Sequence, residues 1–258
     1  MRTLVLTTGI LLAAFQLILI LVGGSIQKTG GFDQLSALLP PFVRELLGPS
    51  MASFMSFSGI VSIGYFHVAV IGSLVAMATA LATIPTAEIE SGFMDLILAR
   101  PLARHWIITR TIAVSVLAAA FLLALMVAGT WTGLQLFAPK GAIWPSAALI
   151  RSLAVNLGLL MLCWSGIATA MGAASRRRSV AGGAAGLLAL ATFLLDYVAR
   201  LWQTAEKIAW LSPCRYYNPF DLITGSPLPG KNLAILGAIA IAGFAAAYVL
   251  FARRDISH

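Results

Sequence analysis

The stretch EIESGFMDLILARPLAR, Glu88 to Arg104, is a polar island between two apolar runs, 58–84 and 111–136. Each run is long enough to cross a bilayer, whose hydrocarbon core of about 30 Å needs about 20 apolar residues per helix. Four further blocks qualify on the same criterion: 4–22, 149–174, 179–195 and 232–251. Six spanning helices follow, and what lies between them is too short for a soluble domain. The chain therefore reads as an all-α integral membrane protein, 1–258 forming one transmembrane domain.

Composition excludes the competing classes. Hydrophobic residues make up 60% of the chain and charged residues only 10%, which no ordinary soluble domain approaches. Open sheets leave backbone groups unsatisfied in hydrocarbon, and the blocks are too long and continuous for barrel strands. The net charge of +8 comes from basic residues that flank spans, with no aromatic-interleaved basic surface. Membrane lipids with anionic headgroups are the expected partner, and nucleic acid is not. Cys163 falls within the fourth span and Cys214 in an outer loop, different layers, so both read as structural rather than as a disulfide or a metal site.

Orientation is read from Lys and Arg near helix ends. With both termini inside, Arg2, Arg100, Arg104, Arg110, Arg176, Arg177, Arg178, Arg253 and Arg254 face the cytoplasm. Eight basic residues face outward, so the count barely discriminates. Density does: the Arg176–Arg178 triplet and the Arg253, Arg254 pair abut helix ends, whereas the outer ones are scattered among acids. The expectation is a multi-pass protein of the cell (inner) membrane with both termini cytoplasmic. Met1, Arg2 and the following apolar run faintly resemble a secretory signal, but the run exceeds the roughly 7 to 15 residues of a signal's apolar core and reads as the first span.

Two outer segments read as interfacial. In 23–57, Leu35, Leu38, Leu39, Phe42, Val43, Leu46 and Leu47 recur at helical spacing around Pro40 and Pro41. In 200–231, Trp202, Trp210, Tyr216 and Tyr217 are aromatics of the kind enriched at headgroup depth, and four prolines restrict the segment to short helices and turns.

Within the island, Ser91 can cap a helix start, Glu88 and Glu90 suit the positive end of its dipole, and Pro101 stops it. A short helix from Gly92 to Arg100 is expected, with Phe93, Leu96, Ile97 and Arg100 on one face and Asp95 and Ala99 opposite. Lipid docking alone does not call for Glu88, Glu90 and Asp95 beside an anionic leaflet, which favours a protein partner.

The island resembles a pattern of the type-2 ATP-binding-cassette (ABC) transporter permeases, E-x-E-x-G-T/F-x-D/E-x-L-L-A-x-P-x-x-R. Glu88, Glu90, Gly92, Phe93, Asp95, Leu98, Ala99, Pro101 and Arg104 carry the match. LSPCRYYNPF, Leu211 to Phe220, looks like the family's segment before the last span, and FARRDI, Phe251 to Ile256, like its terminus. The resemblance implies a permease of an ATP-driven exporter, paired with a second permease chain, identical or related, and with cytoplasmic ATPase subunits. ATP and Mg would be bound by those subunits and no cofactor by this chain, which has no G-x-x-x-x-G-K-[ST] phosphate loop. The island, in segment 85–110 between the second and third spans, would be the coupling helix. Arg176, Arg177 and Arg178 would be a second cytoplasmic contact or positive-inside anchors. Relatives usually carry an amphipathic helix before the first span, where here only Met1 to Thr3 stand.

A translocation route is sought in the second span, where Ser58, Ser62, Tyr65, Ala69, Gly72, Ala76, Thr79 and Thr83 form a small or polar stripe opposite a bulky apolar line. It reads either as close helix packing or as the lining of a central cavity at a permease dimer interface, with Ser58, Ser62, Tyr65, Thr79 and Thr83 as lining residues. His67 stands on the apolar face and reads as a packing residue. Asp196 and Arg200, four apart, can pair near the outer interface, and Gly182–Gly186 fits a close-packing GxxxG. An intramembrane enzyme is disfavoured because no HExxH, paired intramembrane aspartates or nucleophile motif occurs. A noncatalytic scaffold or assembly factor is the remaining alternative, since a coupling helix shows only where an ATPase could bind.

Overall fold

In the computed structural model, residues 1–31, 54–93, 103 and 105–253 are described. Every regular element among them is helical. The first span is α1, Arg2–Lys28. The second is broken into α2, Phe57–Phe66, and α3, Val68–Ala82, and is followed by α4, Ile84–Glu90. Then come α5, His105–Phe137, α6, Ala147–Ala174, and α7, Arg178–Ala199. Short pieces follow, α8 at Gln203–Glu206, 3-10 turns at Ala209–Leu211 and Pro213–Tyr216, and α9 at Pro219–Ile223, before α10, Gly230–Ala252. Six helical stretches have the length and composition to cross a membrane, and the protein is a multi-pass membrane protein. The expected spans are all present; the third begins six residues earlier than its hydropathy, at His105, because its first turns are amphipathic rather than apolar.

The chain divides into two compact units. The first comprises 1–71, 121–157 and 218–228. Here glycines let helix backbones approach, which in a membrane replaces the hydrophobic drive that water supplies elsewhere. A Cβ on Gly129 of α5 would lie 2.8 Å from the Ala13 Cα of α1, and one on Gly23 would lie 3.2 Å from Ile60. Ile20, Phe57, Val61 and Leu134 fill the space between α1, α2 and α5. Phe220 of α9 packs its ring 5.0 Å from that of Phe66.

The second unit comprises 72–120, 158–217 and 229–258. Its closest crossing joins α6 and α10, where a Cβ on Gly166 would fall 2.5 Å from the Ala240 carbonyl oxygen and one on Gly243 2.5 Å from the Gly166 carbonyl carbon. The Gly182–Gly186 motif of α7 makes no such crossing, since added Cβ atoms at Gly182, Gly183 and Gly186 meet nothing within 4 Å. Spacing alone does not distinguish the two, because glycine permits close approach only where a partner helix is steered to it by the rest of the packing. Between α7 and α10 the prolines act as expected: Pro213 and Pro219 each open a short helical turn, where a missing N–H costs nothing.

Candidate functional site

The α4 end of the second unit gathers the charged residues singled out in the sequence. The helical ladder carries through Thr83, whose N–H reaches Thr79 O and whose carbonyl receives Ala87 N–H, so α4 prolongs the second span beyond α3. Glu88 and Glu90 stand in its last turn, and Ser91 is its C-cap, donating its hydroxyl to Glu88 O at 3.3 Å. Gly92 follows at φ +71, the left-handed turn that glycine makes without a Cβ penalty. The backbone is helical again at Phe93, and the helix expected from Gly92 to Arg100 continues into residues outside those described. Glu88 and Glu90 also lie at the negative end of α4, an unfavourable place for carboxylates.

Other elements supply the compensation. Arg110, one turn into α5, donates its guanidinium to the Glu88 carboxylate, whose side chain is only 17% exposed. Glu90 Oε2 accepts the backbone N–H of Arg178 at 2.9 Å, setting a negative charge at the N-terminus of the 22-residue α7. Such a placement is worth about 0.3–1 kcal/mol, and an exposed ion pair about 0–1 kcal/mol, so the contacts position α4 more than they stabilise it. Between them, the buried Thr86 hydroxyl donates to Gly172 O near the end of α6 at 2.9 Å. Beneath lies an apolar plug of Ile89, Ile107, Ile108, Ala173, Ala247 and Phe251. Thr109 and Tyr248 hydroxyls bond across α5 and α10 at 2.8 Å. The last turn of α4 is thus tied to α5, α6 and α7 by side-chain contacts and to α10 through the plug.

Of the island itself, Glu88, Glu90, Gly92 and Phe93 are described, and Phe93 is 52% exposed. Asp95, Leu96, Ile97, Leu98, Arg100, Pro101 and Arg104 lie outside the described residues, as do the expected helix to Arg100, the apolar positions 35–47 and Arg254 to Ile256. Arg176, Arg177 and Arg178 are exposed at the α6–α7 joint, and none enters an ion pair among the described residues. The link between Glu90 and Arg178 joins the two stretches read as separate contacts.

The second-span stripe is split by a break that nothing in its hydropathy announces. His67 has extended backbone, φ −62 and ψ 134. Its N–H reaches Ile63 O, its carbonyl receives Ile71 N–H, and its Nδ1 accepts Ala69 N–H at 3.2 Å, so the ring caps α3. It packs 5.1 Å from Phe15. Above the break, Ser62 and Tyr65 are fully buried and used internally, Ser62 bonding Ser58 O and Tyr65 bonding the Thr130 hydroxyl at 2.9 Å. Below it, Ala69, Gly72 and Ala76 are exposed and Thr79 half-buried, while Val70, Leu74, Met77 and Leu81 are buried. Thr83 is buried and donates to Thr79 O. The helix that carries the stripe is thus interrupted at His67. Sequence reading also passed over Gln16, whose amide is fully buried against Gly64 with no hydrogen-bond partner among the described residues; a lone Gln at mid-depth of an apolar span was the available signal.

At the opposite end of α7, Arg200 donates to Asp196 at 2.9 Å, the expected pair. Cys163 and Cys214 are both free thiols, Cys163 buried within α6. Burial pushes the Cys214 thiol up to about 11. Tyr217, expected among interfacial aromatics, is buried, and desolvation raises its phenol above the ordinary range. Trp202 and Trp210 are exposed as expected. No known protein family, curated protein or solved structure matches the chain.

Proposed function

We propose that the chain is the membrane-spanning permease subunit of an ATP-driven ABC exporter, coupled through the island to separate ATPase subunits. The observation that carries the reading is the anchoring of α4: through Glu88, Thr86, Glu90 and Ile89, the start of the island is held to the ends of four other spans. A displacement applied there reaches those spans together, as a coupling element must if it is to bias a conformational equilibrium. Arg110 and Arg178 share this end with the acids, in keeping with a cytoplasmic α4 end and cytoplasmic termini. The face of α3 formed by Ala69, Gly72 and Ala76 is exposed in the single chain while its bulky face is buried, the reverse of what lipid contact favours. That supports a second permease chain packed there.

The test is copurification of tagged chain from native membranes, wild type against Glu88→Lys plus Leu96→Asp, with ATPase activity scored in the complex. Loss of the ATPase from an intact, membrane-inserted variant is expected. The exchange Glu88→Arg with Arg110→Glu, which keeps the pair, separates disruption of α4 from loss of the acid. Absence of any ATPase with the wild type would overturn the proposal.

A further inference from the structure

We infer that Gln16 and Gly64 form a two-position latch at the break in the second span. Gln16 stands near the middle of α1, fully buried, and neither its Nε2 nor its Oε1 has a hydrogen-bond partner among the described residues. An unpaired amide is costly in an apolar interior. It fits there because its neighbour on α2 is a glycine: a Cβ on Gly64 would overlap the Gln16 amide. Gly64 carries the complementary deficit. In an unbroken helix its carbonyl would accept the Val68 N–H, but the extended backbone of His67 turns that donor away, and no donor reaches the Gly64 carbonyl among the described residues. An orphaned donor thus touches the residue that bears an orphaned acceptor.

A shift of α1 against α2 that carries the amide to this carbonyl pairs both groups. Packed helices slide by about 1–2 Å in such transitions. Shape holds α1 where it is, with Ala13 against Gly129 and Ile20 packed among Phe57, Val61 and Leu134, whereas the polar pair favours the other position. Two arrangements with opposed advantages make the element bistable. The neighbouring residue of α1 connects it to the break, since the Phe15 ring packs 5.1 Å from that of His67. His67 in turn accepts Ala69 N–H at 3.2 Å and so caps α3, which means that moving Phe15 moves the cap. The inference stands independently of the transport reading.

The full chain, isotope-labelled in glutamine side-chain and alanine backbone nitrogen, is placed in lipid nanodiscs and followed by NMR relaxation dispersion. The Gln16 amide and the Ala69 N–H are expected to exchange between two environments at one shared rate, seen as dispersion or as doubled signals. Gln16→Leu, similar in bulk but without the amide, should leave Ala69 in a single environment and raise the thermal unfolding midpoint, because an unpaired buried group is removed. Gln16→Met repeats the comparison where the leucine variant does not fold. Exchange at Ala69 that survives loss of the amide would separate the break from Gln16 and overturn the proposal. So would a single Gln16 environment in the wild type. A midpoint lowered in both variants would also overturn it, since the amide would then be bonded in the prevailing state.

Discussion

Replacing Gly166 by alanine should destabilise the protein, while the same replacement at Gly186 should not. A Cβ at Gly166 would lie 2.5 Å from Ala240 O and 2.9 Å from Ala240 Cα, both backbone atoms that no rotamer change can move. Ordinary contact begins near 3.4 Å, so α6 and α10 would have to separate by about 0.9 Å (3.4 minus 2.5) along that line. Such overpacking costs about 1–3 kcal/mol. Both substitutions also gain about 1 kcal/mol of helix propensity. That gain cancels in the difference between the variants, which therefore isolates the steric cost of about 1–3 kcal/mol. At Gly186 nothing lies within 4 Å, so only the propensity gain remains and the variant should be neutral or slightly more stable. Reversible unfolding in mixed detergent, followed by circular dichroism, gives both values. Gly166→Ala as stable as Gly186→Ala would refute the assignment of the close crossing to α6 and α10.

Two further outcomes are expected. With Cys163 replaced by alanine, alkylation of Cys214 should be slow at pH 8 and rise about tenfold per pH unit towards 11, because burial holds the thiol protonated; a plateau near pH 9 would contradict this. The raised value also means that the folded state keeps this proton, so the stability it contributes is present below about pH 8.5 and is lost as pH rises through about 11. Tyr65→Phe should cost about 1 kcal/mol, the net worth of its bond to Thr130, since Thr130 keeps its second bond to Met126 O. A loss above about 3 kcal/mol in the same unfolding assay would show that the phenol does more than close this bond.

Six spans, their approximate ends and the punctuated segment between α7 and α10 were legible because bilayer thickness and proline act locally, on composition and spacing alone. The Asp196–Arg200 pair was legible for the same reason, being one helical turn apart. The partners of Glu88 and Glu90 were not, since Arg110 and the N–H of Arg178 are 22 and 88 residues distant and meet them only when α4, α5 and α7 are packed. Those long-range contacts are what make the C-terminal end of α4 tolerable for the two acids. The His67 break escaped notice because the ring caps α3, a role usually given to Ser, Thr, Asp or Asn. Which glycines bring helices together was equally beyond pattern: Gly182–Gly186 has the spacing, and Gly166 with Gly243 has the contact. In a bilayer the chain's hydropathy determines that helices form and cross, because backbone groups have no other partner there. Only tertiary structure decides which faces meet, because lipid and side chain are equally apolar and the choice falls to shape.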